Sequence, residues 1–188
     1  HNLRMYGVIS ETSGPGVVVD NLGLVSARAR HLLKIHPGHW QDQLAIRSPD
    51  LVSFFYGVNA AGTTAARFEA DAATYLEEYI DVLKRATGDN TLRDCMVMSV
   101  LTRGSREGGH VHEMSAVTPM AQAQRDAAIG GGCAFFDTHA MLEESGGARR
   151  WNRARPQLLG PDLSHPTSTG YDEIARRVYI ALMHGYLD

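Results

Sequence analysis

The chain has 188 residues, 44% of them hydrophobic and 21% charged, which suits one packed domain and argues against a disordered chain. Eighteen Lys and Arg against 21 Asp and Glu leave a formal charge of -3. That balance argues against nucleic acid as the main partner, because phosphate binding needs a basic face, and no apolar run approaches the roughly 20 residues that span a bilayer.

Residues 3–9 (LRMYGVI) read as a short strand and residues 11–16 (ETSGPG) as turn chemistry. The run Val17-Val18-Val19 has the continuous apolar character of a buried parallel strand. It runs into the loop Asp20 to Gly23, and Ser26 is a good N-cap for a helix that follows. His31, His36 and His39 cluster with Trp40 in an irregular neighbourhood that predicts a loop surface. Residues 51–56 (LVSFFY) form the clearest strand, introduced by Pro49-Asp50 and stopped by Gly57. In residues 65–86 the positions Phe68, Ala72, Tyr75, Leu76, Tyr79, Ile80 and Leu83 recur at helical spacing, with Gly88 as the stop.

A buried strand is predicted over residues 95–101 (CMVMSVL), then a polar, Gly-rich loop over 102–113, a helix over 119–129 and a strand over 133–136 (CAFF) ending at Asp137. A short helix leads to the turn Gly146-Gly147 and a loop carrying Pro156, Gly160, Pro161 and Pro166. The last helix, 169–186, places Tyr171, Ile174, Val178 and Leu182 on one stripe. Strands alternating with helices predict an α/β fold of three layers, α/β/α, with a mostly parallel sheet. In such sheets ligands bind beyond the carboxyl ends of the strands. Cys95 and Cys133 read as small core residues on neighbouring strands, with no disulfide framework or zinc site suggested.

The loop before the last helix is chemically the richest. Asp162 stands three residues before His165, and a tight turn brings such a carboxylate back onto the imidazole. There it fixes the tautomer and stabilises the imidazolium, as the acid of a hydrolytic triad does. By itself the pattern is common, and a turn-forming loop Asp beside a solvent-exposed His is its ordinary reading. Gly57-Val58-Asn59-Ala60 follows the strongest strand and offers an amide donor of the kind an oxyanion needs. An ordinary strand-ending turn uses the same residue types.

Taken together, the early loop DNLGLVSA, the strand leading into GVNA, GCAFFD, the Gly-rich turn with Trp151, and DLSH before a helix resemble the SGNH (GDSL-type) hydrolases. The likeness is to the branch of peptidoglycan O-acetylesterases and other carbohydrate esterases, and it covers about residues 16–188. The resemblance implies a flavodoxin-like sheet, His165 as general base, Asp162 as its orienting acid and Asn59 as an oxyanion donor. A backbone N–H completes the oxyanion hole in that family from a glycine that aligns with Ser26, with Gly23 as the other candidate. No Gly-Asp-Ser triplet occurs in the sequence, and Ser10 and Ser13 lack that context. The resemblance therefore implies that the nucleophile and the first strand lie upstream. Residues 1–15 then form the end of an upstream module or linker, and residues 16–188 are the later part of a catalytic domain.

The expected function is that of a serine esterase removing acyl groups, O-acetyl above all, from a carbohydrate or peptidoglycan. It requires no cofactor and no metal, and the family implies a secreted or periplasmic location. The partners expected are an acylated carbohydrate and an upstream segment supplying the serine. The other class is a non-catalytic glycan- or partner-binding domain of the same fold. His110-Val111-His112 with Glu113 has the residue types of a metal site but no third ligand at recognisable spacing, and reads as a substrate-facing loop. Arg149, Arg150, Arg153 and Arg155 around Trp151 read as a basic-aromatic patch or a solvated face.

Overall fold

The computed structural model describes residues 9–11, 13–88 and 92–187. The expected strand at residues 3–9 falls, apart from its last residue, outside the described residues. The strands are β1 (Leu51–Phe55), β2 (Asp94–Met98), β3 (Gly104–Glu107), β4 (His110–Glu113) and β5 (Ala134–Phe136). β1, β2 and β5 make a parallel sheet in the order β1-β2-β5, and β3 and β4 form a separate antiparallel hairpin. Among the described residues seven α-helices accompany them: α1 (Pro37–Arg47), α2 (Ala65–Ala70), α3 (Ala72–Thr87), α4 (Val117–Gly130), α5 (Thr138–Glu144), α6 (Gly147–Arg153) and α7 (Ser168–Leu187).

Side chains alternate across the sheet, and each face has its own cover. Val52, Phe54, Val97 and Phe135 pack with Trp40, Leu44, Tyr79, Leu83 and Ala127, from α1, α3 and α4. Met98 and Phe136 point the other way and pack with Met141, Leu142, Trp151 and Ile174, from α5, α6 and α7. This is the three-layer α/β/α arrangement that the alternation of elements implied. The strands run parallel, with Val52 opposite Cys95 and Met96 opposite Ala134, so all their carboxyl ends open on one edge.

Several local expectations need correction. Val17, Val18 and Val19 are 90%, 61% and 84% exposed and belong to no strand. A continuous apolar run is buried only where a neighbouring strand pairs with it, and residues 17–19 pair with no strand among the described residues. Ser26 caps no helix: its φ is +59, in the left-handed region, whereas an N-cap is extended. A 3-10 turn, Ala29–Lys34, follows instead. His36 and His39 belong to the start of α1, and Trp40 is buried with the Arg85 guanidinium 5.8 Å from its ring.

The long helix breaks at Asp71 (φ -109, ψ 5). The break sends Phe68 against Val117 and Met120, while Tyr79 and Leu83 face the sheet. The Gly-rich loop is a hairpin, because Gly108 (φ +56) and Gly109 (φ +79) form a two-residue turn between Glu107 and His110. Polar strands with little apolar alternation hid it. Trp151 sits on α6 and is 2% exposed, so the arginines of that helix surround no exposed aromatic ring. Cys95 and Cys133 do lie on neighbouring chain segments, and they form a disulfide with Cα atoms 4.8 Å apart. The expectation of two unpaired core cysteines is therefore corrected. Two segments running parallel in register present both side chains on one face, within bridging distance.

Candidate active site

The turn before α7 is closed by its own backbone. Gly160 N–H donates to the His165 carbonyl at 2.8 Å and Leu163 N–H to the Gly160 carbonyl at 3.1 Å, above a bridge between Leu159 and Pro166. Asp162 serves as the hub. One carboxylate oxygen accepts from the Ser164 and His165 N–H groups at 3.2 and 3.1 Å, while the other meets His165 Nδ1 at 2.5 Å. Leu163 pays for this tight path with φ +58, and its side chain is buried beneath the turn. Burial opposes ionisation of Asp162, yet the bonds from the His165 ring and from the two backbone N–H groups outweigh it. The carboxyl is held below its ordinary pKa. The His165 side chain is 61% exposed, so the ring is anchored at Nδ1 and open to solvent.

Asn59 lies in the turn beyond β1. Gly57 takes φ +130 there, and its carbonyl accepts from the Ala60 and Ala61 N–H groups. Buried Gln124 fixes this corner, donating to the Tyr56 carbonyl at 2.8 Å and accepting from Val100 N–H at 2.7 Å. The Asn59 amide donates to the Ala27 carbonyl at 3.0 Å, which brings it within one residue of Ser26. Ser26 holds a left-handed backbone, the conformation that glycine tolerates best. Asn59 and Ser26 are thus neighbours, and Asp162 and His165 are in contact.

The two pairs are tied to one short segment. Arg103 donates to the Val58 carbonyl at 2.6 Å, and Gly104 N–H donates to the Leu163 carbonyl at 2.8 Å. Arg103 and Gly104 escaped sequence reasoning because their contacts run to residues 45 and 59 positions away. Behind them lies a second polar network. Glu113 accepts from Thr102 Oγ1 at 2.6 Å and meets His139 Nε2 at 2.9 Å. The bond to Glu113 raises the His139 pKa against the opposing effect of burial. Two surface cavities, of about 460 and about 340 Å³, lie along α6 and between α6 and α7, and neither is lined by Asp162, His165 or Asn59.

The fold is similar to solved esterases. A peptidoglycan O-acetylesterase superposes with a TM-score of 0.71 at 20% identity, over 85% of this chain and 44% of its own. An acetyl xylan esterase gives 0.61 at 16% identity, over 85% and 78%. An acetyl xylan esterase from Geobacillus stearothermophilus gives 0.50 at 21% identity, over 80% and 66%. The chain therefore spans less than half the length of the first of these. No curated protein matches the sequence. Residues 5–173 match the family described as GDSL-like Lipase/Acylhydrolase. With that match over most of its length, and with the parallel sheet and helices of the SGNH hydrolases, the chain belongs to the GDSL-like lipase/acylhydrolase family.

Proposed function

We propose that residues 16–188 are the later part of an SGNH serine esterase that removes acyl groups, O-acetyl in particular, from a carbohydrate or peptidoglycan. The observation that carries this reading is the 2.5 Å contact of His165 Nδ1 with Asp162 beside the carboxyl end of the sheet. With Nδ1 held by the carboxylate, Nε2 is the nitrogen left to accept a proton. The serine hydroxyl loses its proton to Nε2 as its oxygen attacks the ester carbonyl. Asn59 and the Ser26 backbone N–H receive the oxyanion of the tetrahedral intermediate. Collapse expels the sugar hydroxyl, protonated by His165, and leaves the acyl group on the serine. Water activated by the same imidazole then releases the acid.

The nucleophile in this reading comes from a segment upstream of the 188 residues. The position of β1 supports it: among the described residues β1 is an edge strand, paired on one side by β2, so its other side offers backbone groups to a further strand. The Cys95–Cys133 disulfide supports a secreted or periplasmic location, since such bonds persist in oxidising compartments. Substrates of the solved relatives motivate the choice of acetylated glycans.

The test is ester hydrolysis by the full-length protein on acetylated xylo-oligosaccharide and O-acetylated peptidoglycan. Both His165→Ala and Asp162→Asn are expected to lower kcat by roughly 10³-fold to 10⁴-fold without loss of fold. Undiminished hydrolysis by His165→Ala would overturn the mechanism. The absence of Gly-Asp-Ser from these residues favours a second reading, a glycan- or partner-binding domain. That reading predicts glycan binding with no hydrolysis by the full-length protein.

A further inference from the structure

The hairpin and α5 meet at a cluster that the esterase reading leaves unused. Glu113 ends β4, and His139 and Glu143 stand four residues apart on one face of α5. One ligand atom from each lies within 4.8 Å of the others. We propose that Glu113, His139 and Glu143 bind a divalent transition-metal ion of the zinc class, which clamps the hairpin to α5.

The donor set is one imidazole and two carboxylates. That combination suits zinc, whose bonds to such nitrogen and oxygen atoms are about 2.0–2.2 Å. Tetrahedral ligands on such bonds stand about 3.3–3.5 Å apart. The Glu113–His139 pair, now at 2.9 Å, has to open slightly, and Glu143, within 4.8 Å of both, has to close by up to about 1.5 Å. Water supplies the fourth ligand.

The groups around the cluster already hold the ligands in place. Thr102 Oγ1, fully buried, occupies one Glu113 oxygen and leaves the other for the metal. The His139 backbone N–H donates to Ser99 Oγ at 3.1 Å. Such supporting bonds are what orients metal ligands in proteins. Glu143 folds over the start of α6, where a Cβ on Gly147 would lie 3.1 Å from its Oε1. Glu143 forms no ion pair with a Lys or Arg among the described residues, so its charge adds to that of Glu113 around one histidine. Asp137, also near His139, is already engaged by Ser99 Oγ and the Ala140 N–H. His110 and His112, which the sequence offered as metal ligands, lie outside the cluster. The other two ligands come from α5, the nearer of them 26 residues after Glu113, a separation that no local motif announces.

None of these residues belongs to the Asp162–His165 pair, so the test is independent of the esterase reading. Zn2+ is titrated calorimetrically into the chelator-stripped full-length protein with the disulfide intact, alongside thermal melts with Zn2+ or Mg2+. One Zn2+ per chain is expected, with a raised Tm for Zn2+ and none for Mg2+. Glu143→Gln, at an exposed position that preserves the fold, should weaken binding by at least about tenfold. His139→Gln should abolish it. The double variant His110→Gln, His112→Gln should bind like the parent. Absence of stoichiometric binding, or binding that survives Glu143→Gln undiminished, or binding lost in the hairpin double variant, overturns the site.

Discussion

At the scale of single residues, the turn before α7 concentrates the cost and the function. Leu163 holds a left-handed backbone that costs a non-glycine residue about 1–2 kcal/mol. Its side chain offsets this by packing with Leu101, Trp151 and Ile174. Leu163→Ala keeps the strain and empties the core, so a loss of about 2–4 kcal/mol is expected in urea unfolding, with esterase activity falling as the turn loosens. Asn59→Ala should lower kcat of the full-length enzyme by roughly 10²-fold to 10³-fold with little change in KM, because an oxyanion donor acts in the transition state. Asp162 sets a pH signature. Its pKa is depressed in the folded chain, so its contribution to stability is complete above its unfolded value and fades as pH falls through the folded one. The Tm gap between the parent and Asp162→Asn should accordingly shrink from about pH 5 toward about pH 2. A gap constant over that range would contradict the assignment of the carboxylate as the stabilised partner.

Among the elements, the sheet and its cross-link carry the stability. The disulfide joins residues 38 positions apart, and closing a loop of that size stabilises by about 3–4 kcal/mol in the chain-entropy account. Reduction should therefore lower the melting temperature distinctly, and Cys95→Ala with Cys133→Ala should reproduce the shift without added reductant. α6 is small but anchors through Trp151, which is almost wholly buried. Asn152 on the same helix donates to the carbonyls of Leu159 and Gly160. The helix thereby supports the base of the Asp162 turn. The hairpin supports its other side through Gly104 and Leu163.

Across the whole molecule, the uncovered surface is uneven. Val17, Val19, Leu22, Leu24 and Val25 are exposed at one end of the chain, Leu51 and Phe55 along β1, and Tyr179, Ile180 and Leu182 on α7. A contiguous strand edge with apolar flanks invites pairing with other chains. In the proposed reading an upstream strand satisfies that edge. Residues 16–188 expressed alone should bind a hydrophobic dye and elute as aggregates, whereas the full-length protein should elute as a defined species. A sharp, monomeric, high-temperature melt of residues 16–188 would count against the missing strand.

Elements with a strong period or a short continuous apolar run were readable from sequence: β1, β2, β5 and α4 follow from the placement of their apolar side chains, and α7 forms over its expected span, although of its stripe Ile174 and Val178 pack inward while Tyr171 and Leu182 are exposed. Asp162 and His165 were readable as a pair because their contact spans three residues, and local backbone alone brings them together. The hairpin, α6 and the break at Asp71 were not, since their apolar signal is weak and tertiary contacts of Phe68 and Trp151 decide them. The disulfide, the bond from Asn59 to Ala27, the Arg103 bridge and the Glu113–His139–Glu143 cluster arise only when distant segments meet. Sequence alone determined the layered α/β class and the local turn chemistry, because both rest on short-range periodicity and sterics. Only the tertiary structure decided which side chains share a site, because that depends on how strands are ordered and which helices cover them.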